Sequence, residues 1–175
     1  NLRWLISQSK KLDVKHVVSP FVDASSLASQ THVETVSKII RCVIPHAVDH
    51  DVELHLEADL SPKLFRNLLK EIDHPFVKFN FDIGNSAALG YDPVNELEAL
   101  SPFLGGIHVK DRLLGGGSVP LGTGDADFKT CFRILKNIGY HGCLILQAAR
   151  GKIRQEFDLA NKNRMIVENY WQNSG

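Results

Sequence analysis

Four residues at matching places in the chain carry groups that could do chemistry. Glu57 closes the segment DVELHLE, Asp82 closes FVKFNFD, His108 lies near the end of GIHVK, and Gln147 closes CLILQ. Each segment has the β-branched and aromatic content of a strand. Four successive strand ends therefore present two carboxylates, an imidazole and an amide oxygen to one mouth. A lone strand-end histidine is usually structural, but four such donors together point to a metal site. The oxygen-rich set with a single imidazole suits Mn²⁺, Mg²⁺, Co²⁺ or Zn²⁺. Lys110 shares the face of His108 and can either neutralise a substrate oxyanion or phosphate or pair with Asp82 or Glu57. Arg112 and Arg150 fall in strand-to-helix loops, as phosphate contacts or as solvated loop arginines. Asn85 can bond substrate or Asp82, or serve a turn after Gly84. His55 lies one inward step below Glu57, placed to support that ligand or to reach substrate.

These residues need strands that end together, and the pattern supplies them. An opening amphipathic helix carries Leu2, Leu5, Ile6 and Leu12. Strands are expected at Val14 to Pro20, Asp51 to Glu57, Phe76 to Asp82, Gly106 to Lys110 and Cys143 to Gln147. Helices follow: Val33, Val36, Ile39, Ile40, Val43, Ile44 and Ala47 repeat at helical spacing, and Leu64, Phe65, Leu68, Leu69 and Ile72 line one helical face. Ser61-Pro62 and Asp92-Pro93 read as helix starts, with a capping side chain before a proline in the first turn. Further helices are expected around Phe128 to Ile138 and from about Ile153 to Trp171. Strand, loop and helix recur five times, which implies an α/β fold with a parallel sheet and right-handed crossovers.

Strands of a parallel sheet covered on both faces should be continuously apolar. Three of these alternate instead. Val52, Leu54 and Leu56 oppose Glu53, His55 and Glu57; Val77, Phe79 and Phe81 oppose Lys78, Asn80 and Asp82; Ile107 and Val109 oppose His108 and Lys110. The polar face must look into a barrel interior or the concave side of a curled sheet. There its charges need partners, and a bound cation would satisfy several. An open doubly wound sheet would explain the polar strand ends but not the deeper Glu53, His55, Lys78 and Asn80.

Composition narrows the function. The chain has 175 residues, 43% hydrophobic and 23% charged, which fits one folded domain. Its 20 basic and 20 acidic residues cancel, which argues against a general nucleic-acid binder. No apolar run approaches the roughly 20 residues of a membrane span. Three cysteines without a close pair read as small buried hydrophobes, and with no signal-peptide pattern they fit a cytoplasmic location.

The segments LHLEAD, FDIGNS, GIHVKDR, VPLGTGDADF and LILQAAR resemble the xylose-isomerase-like TIM-barrel superfamily of sugar-phosphate isomerases and epimerases. The likeness is greatest to its ketopentose-phosphate 3-epimerase and hexulose-phosphate isomerase branch. Its most specific pieces are D-x-G-N at Asp82 to Asn85, H-x-K-D at His108 to Asp111, and P-x-G-x-G-x-x-D-F at Pro120 to Phe128. The resemblance implies a divalent metal held at Glu57, Asp82, His108 and Gln147, and proton abstraction beside the carbonyl of a sugar or sugar phosphate. Gln147 stands where the family pattern has Glu, and an amide cannot exchange a proton at neutral pH. A two-base epimerase scheme then loses one partner, leaving Glu57 as a single base, or leaving a relative that binds metal and carbohydrate but turns over poorly. The family barrel needs about 250 residues and eight strand–helix units. The expectation is thus a single domain over 1–175, a partial barrel equivalent to strands four to eight, with the first three units missing and open sheet edges that favour association with a second copy. The related endonuclease-IV nucleases use more histidine ligands and a basic surface, which this chain lacks.

Overall fold

In a computed structural model, the structure describes residues 1–174. Its strands are β1 (His16–Phe21), β2 (Glu53–Ala58), β3 (Val77–Asp82), β4 (Leu104–Val109), the two-residue β5 (Asp111–Arg112) and β6 (Ser118–Val119), and β7 (Leu144–Leu146). Its helices are α1 (Leu2–Lys11), α2 (Gln30–His50), α3 (Pro62–Ile72), α4 (Ile83–Leu89), α5 (Pro93–Leu100), α6 (Phe128–Asn137) and α7 (Glu156–Gln172). Five strands form one sheet in the order β1-β2-β3-β4-β7, while β5 and β6 make a separate antiparallel ribbon. The pairs β1–β2, β2–β3 and β4–β7 are parallel. This is an α/β fold, a parallel sheet flanked by helices.

The chain divides into two compact units, residues 1–80 with 102–105, and residues 81–101 with 106 onward. In the first, α2 buries Val36, Ile40, Val43, Ile44 and Ala47, and α3 buries Phe65, Leu68, Leu69 and Ile72. Phe65 meets Phe79 edge-on, ring centroids 5.2 Å apart. In the second, Leu97 and Leu100 of α5 and Phe132 and Leu135 of α6 are fully buried with Phe81, Ile107 and Val109. Phe132 also meets Trp171 of α7 edge-on at 5.7 Å.

The capping expectations hold. Ser61 accepts the amide of Leu64, and Asp92 accepts those of Val94 and Asn95, so orphan donors at both helix starts are satisfied. Pro45 lies inside α2, at an exposed position where the helix runs on despite the missing N–H.

Several expectations are corrected. The first strand starts two residues late because Asp13, in left-handed backbone, follows α1. Asp51 caps α2, again left-handed, and so cannot open β2. The glycine run 115–117 turns the β5–β6 ribbon, which short-range patterning missed. Leu5 and Leu12 of α1 are exposed, leaving Ile6 as its buried apolar residue, and Ile39 of α2 and Leu64 of α3 lie on the solvent side of their helices' apolar stripes. Of the cysteines, Cys131 alone is buried; Cys42 and Cys143 are exposed. No helix of the described residues is long and apolar enough to cross a membrane.

Candidate metal centre

The second unit gathers most of the residues singled out from sequence. Asp82 ends β3 and caps α4: its Oδ1 accepts the amide of Asn85 at 2.8 Å. Its Oδ2 lies 3.2 Å from Lys110 Nζ and 3.8 Å from His108 Nδ1. Asp82 is 3% exposed and His108 9%. The contact between the Lys110 ammonium and the Asp82 carboxylate is charge-assisted and, being mostly buried, is screened less than a surface pair. Lys110 thus realises the pairing with Asp82 that its shared face allowed.

Asn85 is no loop residue. It lies in the first turn of α4, and its Oδ1 accepts from Lys110 Nζ at 3.2 Å and from Arg112 Nη1 at 2.8 Å. Two cationic side chains are thereby drawn to one neutral oxygen. Arg112 is further fixed by donating from Nε to the carbonyl of Gly116 at 3.0 Å. Gly84, between Asp82 and Asn85, lets α4 lie close against the chain leaving β4. A Cβ there would stand 2.8 Å from the backbone carbonyl of Lys110.

Asp111, 1% exposed, stands out in the sequence only as the last residue of the H-x-K-D motif. Its carboxylate accepts the amides of Gly122, Gly124 and Ala126 at 2.8, 2.9 and 3.2 Å. It therefore organises the whole glycine-rich loop of the P-x-G-x-G motif. That loop spends these amides on a protein carboxylate. Glu96 of α5, 4% exposed, went unnoticed in sequence because it sits beside Leu97 on an otherwise ordinary amphipathic helix. Burial pushes its carboxyl up to about 7; a hydrogen bond with Ser86 opposes this and the charge of Asp82 adds to it.

In the first unit, Glu57 ends the alternating stretch of β2 and is 5% exposed. Its Oε2 accepts from Asn80 Nδ2 at 2.8 Å. His55 Nε2–H donates to Glu53 Oε2, 2.9 Å away, and the ring stacks on His16 with centroids 4.3 Å apart. Burial lowers the pKa of His55, with Glu53 pulling the other way. Gln147 lies just past β7 and is exposed; its backbone N–H donates to the carbonyl of Val109 at 3.0 Å. Arg150, also exposed, lines a largely apolar cleft with Leu146, Ala149, Ile153 and Leu159.

Comparison with known proteins follows the same lines. The chain is 38% identical to an L-ribulose-5-phosphate 3-epimerase, UlaE, of Salmonella paratyphi A over 77 residues, 43% of this chain. The matched stretch spans 27% of that relative, little more than a quarter of its length. The structure superimposes on that of an L-ribulose 3-epimerase with a TM-score of 0.81 and 15% identity, over 99% of this chain and 66% of the other. It also superimposes on a xylose isomerase-like TIM barrel protein from Mycobacterium smegmatis in complex with magnesium, with a TM-score of 0.76 and 17% identity, over 98% of this chain and 66% of the other. At these identities the structural likeness is one of fold. The model of one family, the xylose isomerase-like TIM barrel, matches residues 1–165. The chain belongs to that xylose isomerase-like TIM barrel family.

Proposed function

We propose that the chain is a metal-dependent isomerase or epimerase of a sugar or sugar phosphate, working by proton abstraction beside a carbonyl. The observation that carries this reading is the buried Asp82–His108–Lys110 group at the ends of β3 and β4. Glu57, which closes the alternating stretch of β2, is the further carboxylate donor of this reading, as the family resemblance implies. Two carboxylates and one imidazole fit a divalent cation of the Mg²⁺, Mn²⁺, Co²⁺ or Zn²⁺ group. When bound, such a cation supplies polarisation of the substrate carbonyl and charge stabilisation of an enediolate. The likeness to a magnesium-bound structure supports the choice of a divalent ion, and the likeness to UlaE supports a ketopentose phosphate as the substrate class. The five strands take the places of the fourth to eighth of a barrel.

In this reading Glu57 is the base. Asn80 holds one carboxylate oxygen, which fixes the direction of the other. The carboxylate takes a proton from the carbon next to the carbonyl and returns it to the former carbonyl carbon, while the hydroxyl proton of the first carbon passes to the former carbonyl oxygen, so that the carbonyl moves by one carbon. Lys110 and Arg112, gathered at Asn85, orient an oxyanion or phosphate of the substrate. Gln147 supplies a carbonyl oxygen but no second base, so one-base isomerisation is favoured over two-base epimerisation.

Metal analysis and turnover on ketopentoses, ketohexoses and their phosphates test the proposal. Glu57→Gln should lower turnover by about 10²-fold or more. A chain without a bound divalent ion, or undiminished turnover in the variant, rejects the mechanism. The identity of Gln147 also supports a second reading, a relative that binds metal and carbohydrate with little turnover. Epimerisation gained in Gln147→Glu would support that reading.

A further inference from the structure

The first unit carries a cluster of two imidazoles and two oxygens where α1 meets α2. His46 and His50 stand one turn apart on α2, with ring centroids 4.0 Å apart. Both Nε2 atoms face Ser7 Oγ, at 3.0 and 3.3 Å. His46 Nε2 is also 3.0 Å from the backbone carbonyl of Arg3, one turn before Ser7 on α1. Four potential donors thus follow one another at close range, from His50 Nε2 through Ser7 Oγ and His46 Nε2 to the Arg3 carbonyl.

Hydrogen-bond logic fixes the tautomers. A carbonyl only accepts, so His50 Nδ1, 2.8 Å from the carbonyl of His46, must carry a proton. His50 Nε2 then holds a lone pair, and Ser7 donates to it. By the same rule His46 Nε2–H donates to Arg3. The second nitrogen of a metal-bound histidine is commonly anchored on a backbone carbonyl, which is the arrangement of His50. Spacing agrees as well. Neighbouring donors here lie 3.0 to 3.3 Å apart. Bonds of about 2.0–2.1 Å to a tetrahedral Zn²⁺ place its ligands roughly 3.3 Å apart.

We propose that His46, His50, Ser7 and the Arg3 carbonyl bind one transition-metal cation, of the Zn²⁺ or Ni²⁺ kind, that clamps α1 to α2. The cation replaces the proton on His46 Nε2; that ring stays neutral by carrying its proton on Nδ1. The Ser7 hydroxyl turns its hydrogen away and offers a lone pair. Two imidazoles suit Zn²⁺ and Ni²⁺ and offer little to Mg²⁺, which prefers oxygen alone. The site differs in this from the carboxylate-bearing group of Asp82 and His108.

The experiment is a titration with Zn²⁺, Ni²⁺ and Mg²⁺ of the chain and of a variant carrying Asp82→Asn with His108→Gln, in which the other proposed site is removed. One equivalent of Zn²⁺ or Ni²⁺ should remain in that variant, with a rise in Tm, and Mg²⁺ should give neither. Adding His50→Gln should weaken the remaining binding at least tenfold, since even the loss of an orienting partner costs about 10–100-fold. In the unmutated chain, Ni²⁺ should broaden the imidazole proton signals of His46 and His50. No remaining equivalent, binding unmoved by His50→Gln, or unbroadened signals would overturn the proposal, whatever the fate of the isomerase reading.

Discussion

Strands β2 and β7 belong to one parallel sheet, and each leads to a residue with a metal-binding oxygen, yet they are made differently. β2 pairs with a neighbour on each side, β1 and β3. Its apolar Leu54 and Leu56 are fully buried, and so are its polar His55 and Glu57. β7 pairs with β4 and ends the sheet among the described residues. It is three residues long, with Ile145 44% and Leu146 37% exposed, and Gln147 beyond it is exposed too. A donor on a strand laddered on both sides has its position set by packing and by partners such as Asn80. A donor past an edge strand is held by its backbone bond to Val109 and little else. Chemical suitability alone does not distinguish the two; the number of neighbours does.

The sharpest way to break the contrast is to delete methyl groups from each strand. Leu56→Ala should cost about 2–5 kcal/mol, because its site is fully buried and cannot collapse easily. Ile145→Ala should stay within about 1 kcal/mol. Urea unfolding measures both, and equal costs would mean that β7 is covered in solution. Asp111→Ala comes next, at about 1–3 kcal/mol, since three amides of the glycine-rich loop lose their acceptor. Hydrogen exchange at Gly122, Gly124 and Ala126 should quicken; unchanged protection would show another acceptor at work.

A smaller effect is expected at Glu96. Burial raises its carboxyl from an ordinary 4.5 to about 7. Between those values the folded chain holds this proton more tightly than the unfolded one. Its contribution to stability is therefore complete below about 4.5 and is lost as pH rises through about 7. Glu96→Gln should flatten the stability–pH curve over that window, and an unchanged slope would assign the dependence elsewhere. Smallest of all, Gln147→Ala should move stability by less than about 0.5 kcal/mol.

Much of this was legible from local chemistry. The alternation of Glu53 to Glu57 against Val52 to Leu56 announced two different faces; the apolar one is buried, and the polar one is buried at His55 and Glu57 and partly exposed at Glu53. Ser61-Pro62 and Asp92-Pro93 started helices because their capping and proline geometry is local. What escaped depends on distant partners. The β5–β6 ribbon has two residues per strand, too few for a period to show. The role of Asp111 is invisible without the loop 11 to 15 residues later that folds back onto it. Glu96 looks like any helix acid until the packing around it is known. The exposure of Gln147 follows from its strand's place at an edge, which alternation does not encode.

Gly84 bears on all of this through what it lacks. The Cβ that any other residue would add there runs into the main chain of Lys110, which cannot swing aside as a side-chain tip could. A methyl group would act as a wedge, prising the ammonium of Lys110 from the carboxylate of Asp82. The charge balance at the proposed metal centre is thus gauged by an uncharged residue, and widening that gap in steps of side-chain volume gives a mechanical means of tuning it.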